Sequence, residues 1–145
     1  IELLKKGVEI YKNLRDSFPL IHYYMLADQT YSSCCVDEIT AKHVPPDLIV
    51  HFGDACLSIT SHQYKVLYAF GESSLDVAKL ECALSKLEPS DPITLLYDTS
   101  FVYLKEQLSC MDLNPPHDIF VAHPVKPLNS EFLNCANAMR SDNSV

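Results

Sequence analysis

Three of this chain's six cysteines fall in one stretch, YSSCCVDEITAKHVPPDLIVHFGDACLS (Tyr31–Ser58). Cys34 and Cys35 are adjacent and stand just before a predicted helix. Cys56 stands just after a predicted strand. Thiolates are nucleophiles and soft metal ligands. A helix N-terminus favours the thiolate, because its unpaired N–H groups and dipole attract negative charge. Iron–sulfur clusters are held by such thiolates. Spacing alone leaves two readings open. The chain has no CxxC pair and no zinc-ribbon or ferredoxin run, and burial as a small apolar residue is a common fate of cysteine. Cys82, Cys110 and Cys135 lie on or near predicted helices without cysteine partners, and read as packing residues.

The remaining polar groups give weaker signals. His51 sits inside an apolar run and reads as a histidine satisfied by hydrogen bonds. His22, His62, His117 and His123 have no ligand spacing to one another, and His43 falls near a helix end. Asp37 and Glu38 read as acidic charge in the first turn of a helix. Asp54 and Asp98 read as turn braces.

The elements that would position the thiols follow from periodicity. Apolar residues Leu4, Val8, Tyr11 and Leu14 predict a helix over 1–16. LIHYYMLAD (Leu20–Asp28) reads as a buried strand. A short helix is expected over 35–44, with Ser33 as N-cap and Pro45-Pro46 as its stop. DLIVHFG (47–53) and KVLYAFG (65–71) read as strands that end in glycine turns. A capping signal at Ser73, Ser74 and Asp76 opens a helix with Val77, Leu80, Leu84 and Leu87 on one face. DPITLLYD (91–98) is a further strand, followed by a helix to about residue 108 capped by Thr99 or Ser100. HDIFVAHPV (117–125) is the last strand, and a short helix is expected over 130–139.

Strands alternating with helices predict an α/β fold: a single three-layer domain with a mostly parallel sheet flanked by helices. In such sheets ligands gather at the carboxyl ends of strands. Cys34 or Cys35 can therefore meet Cys56 at one rim, provided that the strands before them are neighbours. Only three glycines occur, which excludes a Rossmann or P-loop phosphate cradle.

The totals narrow the function classes. At 145 residues the chain can build a sizeable core. A net charge of −8 argues against nucleic-acid or anionic-membrane partners. No apolar run reaches the roughly 18 residues of a membrane span. The first residues form no signal peptide, and cytoplasmic, reduced thiols are expected. With no initiator Met, the chain is expected to be a fragment or processed product.

The motif D-x-T-Y-x-x-C-C-V-D-E, then A-x-H-V, then D-L-I-V-H-F-G-D-A-C-L-S resembles the diphthamide-biosynthesis family, the 2-(3-amino-3-carboxypropyl)histidine synthases. The likeness is greatest to the second-subunit type of the eukaryotic pair. Weaker matches, VLYAFGESSLDV and ITLLYDTSFVYL, extend it over about Leu20–Leu104. Ser32 stands where a glycine is frequent.

The resemblance implies three related α/β domains around a [4Fe–4S] cluster, with S-adenosylmethionine as donor of a 3-amino-3-carboxypropyl radical. The acceptor would be a histidine of elongation factor 2. It implies a subunit 1 partner that houses the catalytic cluster, and an electron-donor protein. This chain would support that subunit or keep its cluster reduced. Residues 1–127 would then be an N-terminally truncated first domain, and 128–145 a tail or the start of the next segment. Cys34, Cys35 and Cys56 fall on the family's first-domain cysteine positions, with only one of the adjacent pair on a given iron. Catalysis by this chain alone is not expected. Two alternatives are a scaffold subunit with structural cysteines and a thiol-redox protein.

Overall fold

The computed structural model describes residues 2–26, 32–61, 63–88 and 90–134. The order of elements is α1 (Glu2–Ser17), α2 (Glu38–Ala41), β1 (Leu48–Phe52), β2 (Lys65–Phe70), α3 (Val77–Leu84), β3 (Ile93–Leu96), a 3-10 turn (Thr99–Leu104), α4 (Lys105–Ser109), β4 (Ile119–Ala122) and β5 (Ser130–Asn134). The fold is α/β with a mostly parallel sheet, as the alternation predicts. The strands divide into two sheets, one ordered β1-β2-β5 and one of β3 with β4. β3 and β4 run parallel, with Ile93 opposite Ile119 and Leu96 opposite Ala122. The chain separates into two compact units, residues 1–68 with 127–131, and residues 69–126 with 132–145.

β2 is the central strand of its sheet, and in the first unit Val66 and Tyr68 are almost fully buried. Ala41 and Tyr64 are buried as well. Gly53 ends the turn after β1 at φ 95, a conformation that L side chains rarely adopt. Leu20–Leu26 differs from expectation. It is not a strand; Leu20, Ile21, Tyr24 and Met25 are exposed. It lies back along α1 instead, with the Tyr23 ring edge-on to Tyr11 at 6.4 Å. A Cβ on Gly7 would meet Met25 Sδ at 3.3 Å, so the glycine permits that approach. Apolar composition alone does not supply a hydrogen-bonding neighbour, and a strand needs one. Residues 27 and 28 of that stretch lie outside the described residues.

The second unit packs Phe70, Leu104, Leu108 and Leu113. Aspartates cap α3 and the 3-10 turn: Asp76 accepts from the Lys79 N–H, and Asp98 from the Ser100 N–H. Asp98 thus takes the capping role expected of Thr99 or Ser100. The helix expected over 130–139 is corrected: residues 130–134 form β5, and the Phe132 ring meets Phe70 edge-on at 5.0 Å. Residues 135–139 lie outside the described residues.

Candidate metal centre

The three cysteines converge. Cys35 Sγ lies 4.0 Å from Cys34 Sγ and 3.6 Å from Cys56 Sγ. All three sulfurs fall within 4.8 Å of one another. Local backbone bonds explain how. The Cys35 N–H closes a turn on the Ser32 carbonyl at 2.9 Å, and the Cys56 N–H donates to the Cys34 carbonyl at 3.0 Å. The second bond ties the loop after β1 directly to the cysteine pair.

Two further links hold the rim. Asp37, rather than the expected Ser33, caps α2: its carboxylate accepts from the Thr40 N–H at 2.9 Å and the Thr40 hydroxyl at 2.7 Å. Glu38 reaches across 23 residues to accept from the Ser61 N–H at 2.8 Å and the Ser61 hydroxyl at 2.7 Å. The pair read as helix-end charge is thus a cap and a cross-strap. Leu57, next to Cys56, sits in the left-handed region at φ 55. Such a conformation costs a non-glycine residue about 1 kcal/mol. It turns the chain so that the Cys56 thiol faces both Cys35 and the Ser58 hydroxyl, 3.2 Å away.

Electrostatics separate the thiols. The Ser58 hydroxyl, and then the Ser58 N–H, stabilise the Cys56 thiolate and bring that thiol down to about 7. Cys35 is pushed up to about 11, first by its hydrogen bond with Cys56, then by burial. A thiol that donates to a neighbouring thiolate holds its own proton more tightly.

Cys34 and Cys35 are half-buried and Cys56 is exposed. They line a cavity of about 230 Å³ whose floor includes Tyr68 and Thr60. Thr60 Oγ1 is buried with no hydrogen-bond partner among the described residues. A buried hydroxyl is rarely left so, and its presence beside three sulfurs suits a cavity that takes a polar or ionic guest. The donor set fits a soft metal centre. Thiolates about 2.3 Å from one tetrahedral ion stand about 3.8 Å apart, close to the two measured separations.

The other sequence candidates fall elsewhere. His51 Nε2 bonds the Asp54 carbonyl at 3.0 Å and its ring meets Tyr68 edge-on. His117 bonds the backbone at Pro115 and Leu87. Cys82 and Cys110 are exposed rather than packed; Cys135 and His62 lie outside the described residues. One pairing passed unnoticed in the sequence, Tyr97 with His123, because 26 residues separate them. No helix among the described residues is long and apolar enough to cross a membrane.

A family model for diphthamide synthesis proteins matches residues 2–144. Among curated proteins, the chain is similar to 2-(3-amino-3-carboxypropyl)histidine synthase subunit 2 of Schizosaccharomyces pombe, 44% identical over 84 residues, 58% of this chain and 16% of that protein. The subunit 2 protein of Danio rerio is 35% identical over 109 residues, 74% of this chain and 22% of that protein. Subunit 2-2 of Candida albicans is 36% identical over 68% of this chain and 18% of that protein. The chain thus spans less than a quarter of these relatives' lengths. No solved structure matches it. Because the family model takes in almost the whole sequence, cysteine block included, the chain belongs to the diphthamide synthesis family.

Proposed function

We propose that this chain is the first domain of an iron–sulfur subunit in diphthamide biosynthesis, of the subunit 2 type. Cys34, Cys35 and Cys56 would offer thiolates from one rim toward a [4Fe–4S] cluster, with the remaining ligands on other domains. The convergence of the three sulfurs within 4.8 Å carries this reading. When bound, such a cluster supplies one-electron chemistry. In the complex that electron would cleave S-adenosylmethionine, and the 3-amino-3-carboxypropyl group would pass to a histidine of elongation factor 2. The work would take place in the cytoplasm, with subunit 1 as partner and an electron-donor protein as source.

The chain's own residues prepare the thiols. Ser58 stabilises the Cys56 thiolate, so one ligand is available near neutral pH without a base. Glu38 holds the 56–61 loop against α2 through Ser61, and Asp37 caps the same helix.

The test uses the full-length parent protein. Iron and acid-labile sulfide are measured in the parent and in a variant with Cys34, Cys35 and Cys56 all changed to Ser. Loss of both elements in a folded variant supports the reading. Unchanged iron favours a scaffold subunit with structural cysteines. A thiol-redox role is the second reading, favoured by the 3.6 Å approach of Cys35 and Cys56; full iron occupancy in the parent isolated without oxygen counts against it.

A further inference from the structure

The unit of residues 69–126 and 132–145 carries a constellation that shares no residue with the cysteine site. β3 and β4 run parallel with Leu96 opposite Ala122. The next residue of each strand is Tyr97 and His123. The register therefore delivers both to the carboxyl end of the pair, the edge where open α/β sheets take ligands. The Tyr97 hydroxyl shares a hydrogen bond with His123 Nδ1 at 2.6 Å. Nε2 faces Ser109 Oγ at 3.4 Å, and that hydroxyl donates to the Lys105 carbonyl at 2.8 Å. The ring is thus fixed from both sides.

Beside this pair lies a cavity of about 220 Å³ lined by Tyr97, Val102, Lys105, His123, Lys126 and Phe132 among others. Among the described residues that line it, two carry ammonium groups, in a chain with 19 acidic and 11 basic residues. Val102 and Phe132 give it an apolar wall. Phe132 is braced by its edge-on contact with Phe70. The volume is below the roughly 300–1,000 Å³ of drug-sized ligand pockets. It suits a small anion or the charged end of a larger molecule.

We propose that this cavity binds a small oxyanion, a phosphate or carboxylate group. Lys105 and Lys126 supply the charge, and the fixed Tyr97–His123 pair forms the polar floor. Lysine suits this role as a mobile point charge that adapts to either anion.

The experiment follows the His123 ring proton by NMR in the full chain, with the signal assigned through His123→Gln. Inorganic phosphate and malonate are titrated separately at constant ionic strength, with potassium chloride as the blank. A saturable shift is expected with at least one of them. Tighter binding of phosphate assigns the site to phosphates, and tighter binding of malonate to carboxylates. Lys105→Ala and Lys126→Ala should each weaken binding by about tenfold, the effect of losing one charge-assisted contact. Both lysines are exposed, so their removal leaves the core intact. No saturable shift with either anion, a shift that chloride reproduces, or affinities unchanged in both variants overturns the proposal.

Discussion

Cys35 Sγ and Cys56 Sγ lie 3.6 Å apart across 21 residues of sequence. That is close to the disulfide length of about 2.05 Å. In the metal-free chain, oxidised glutathione should therefore produce a Cys35–Cys56 disulfide. The Cys56 thiolate attacks the glutathione disulfide and releases one glutathione thiolate. Cys35 then gives up its proton, attacks the mixed disulfide and releases the second. Peptide mapping should find Cys34 still alkylatable, since a bond between adjacent cysteines closes a strained ring. A Cys34–Cys35 bond as the main product would contradict this geometry.

The two thiols should also differ in pH response. Cys56 is brought down to about 7 by Ser58, so its thiolate predominates above that value and is lost as pH falls through it. Cys35 is pushed up to about 11 and stays a thiol across the neutral range. Iodoacetamide labelling of metal-free protein should thus rise for Cys56 from pH 6 and level off above pH 8, as expected for a midpoint of about 7. Labelling of Cys35 should keep rising to the highest pH tested. Ser58→Ala should move the Cys56 midpoint upward. Equal profiles for both cysteines would show that Ser58 does not separate them.

How far the sequence revealed all this depends on the range of each interaction. α1, β1, β2, β3 and β4 were legible because amphipathic period and apolar runs are local signals. The cysteine rim was legible as a possibility, and the family motif turned it into an expectation. Leu20–Leu26 has the composition of a strand, but among the described residues no strand pairs with it. Residues 130–134 read locally as helix, but their place beside β2 in the sheet makes them a strand. Asp37 took the cap from Ser33 because it lies three residues before Thr40, the N–H it satisfies. The bond between Glu38 and Ser61 and that between Tyr97 and His123 depend on how distant segments align, and no local pattern announces them.

The Glu38 strap gives a structural prediction. Its carboxylate takes two hydrogen bonds from Ser61, and neither residue lies in the fully buried core. Glu38→Ala should cost about 1 kcal/mol, the scale of a partly exposed charge-assisted contact. Its larger effect should be local. With the 56–61 loop released from α2, Cys56 should spend less time near Cys35, and the rate of disulfide formation should fall severalfold. Glu38→Gln keeps one acceptor and should recover part of that rate. Urea unfolding followed by timed oxidation separates the two effects. A full loss of stability with an unchanged oxidation rate would place the strap outside the thiol site.

Single-ion binding tests the arrangement of the sulfurs themselves. Cys35 stands between its partners, 4.0 Å from Cys34 and 3.6 Å from Cys56. Both separations bracket the edge of about 3.8 Å expected for thiolates on one tetrahedral ion. The metal-free chain should accordingly bind Co(II) with sulfur-to-metal charge-transfer absorption. The three substitutions should rank by geometry. Cys35→Ser removes the sulfur common to both short separations and should weaken binding most. Cys56→Ser removes the thiol already inclined to ionise near neutral pH, and should rank second. Cys34→Ser removes the more distant partner and should weaken binding least. Because metal binding displaces thiol protons, affinity should fall steeply as pH drops below about 7 in the wild-type chain. That pH dependence should be reduced in Cys56→Ser, where the ionising group is gone. If Cys34→Ser were the most damaging change, the adjacent pair would have to bind through its first member, and Cys35 would then serve as the hydrogen-bond donor to Cys56 rather than as a ligand.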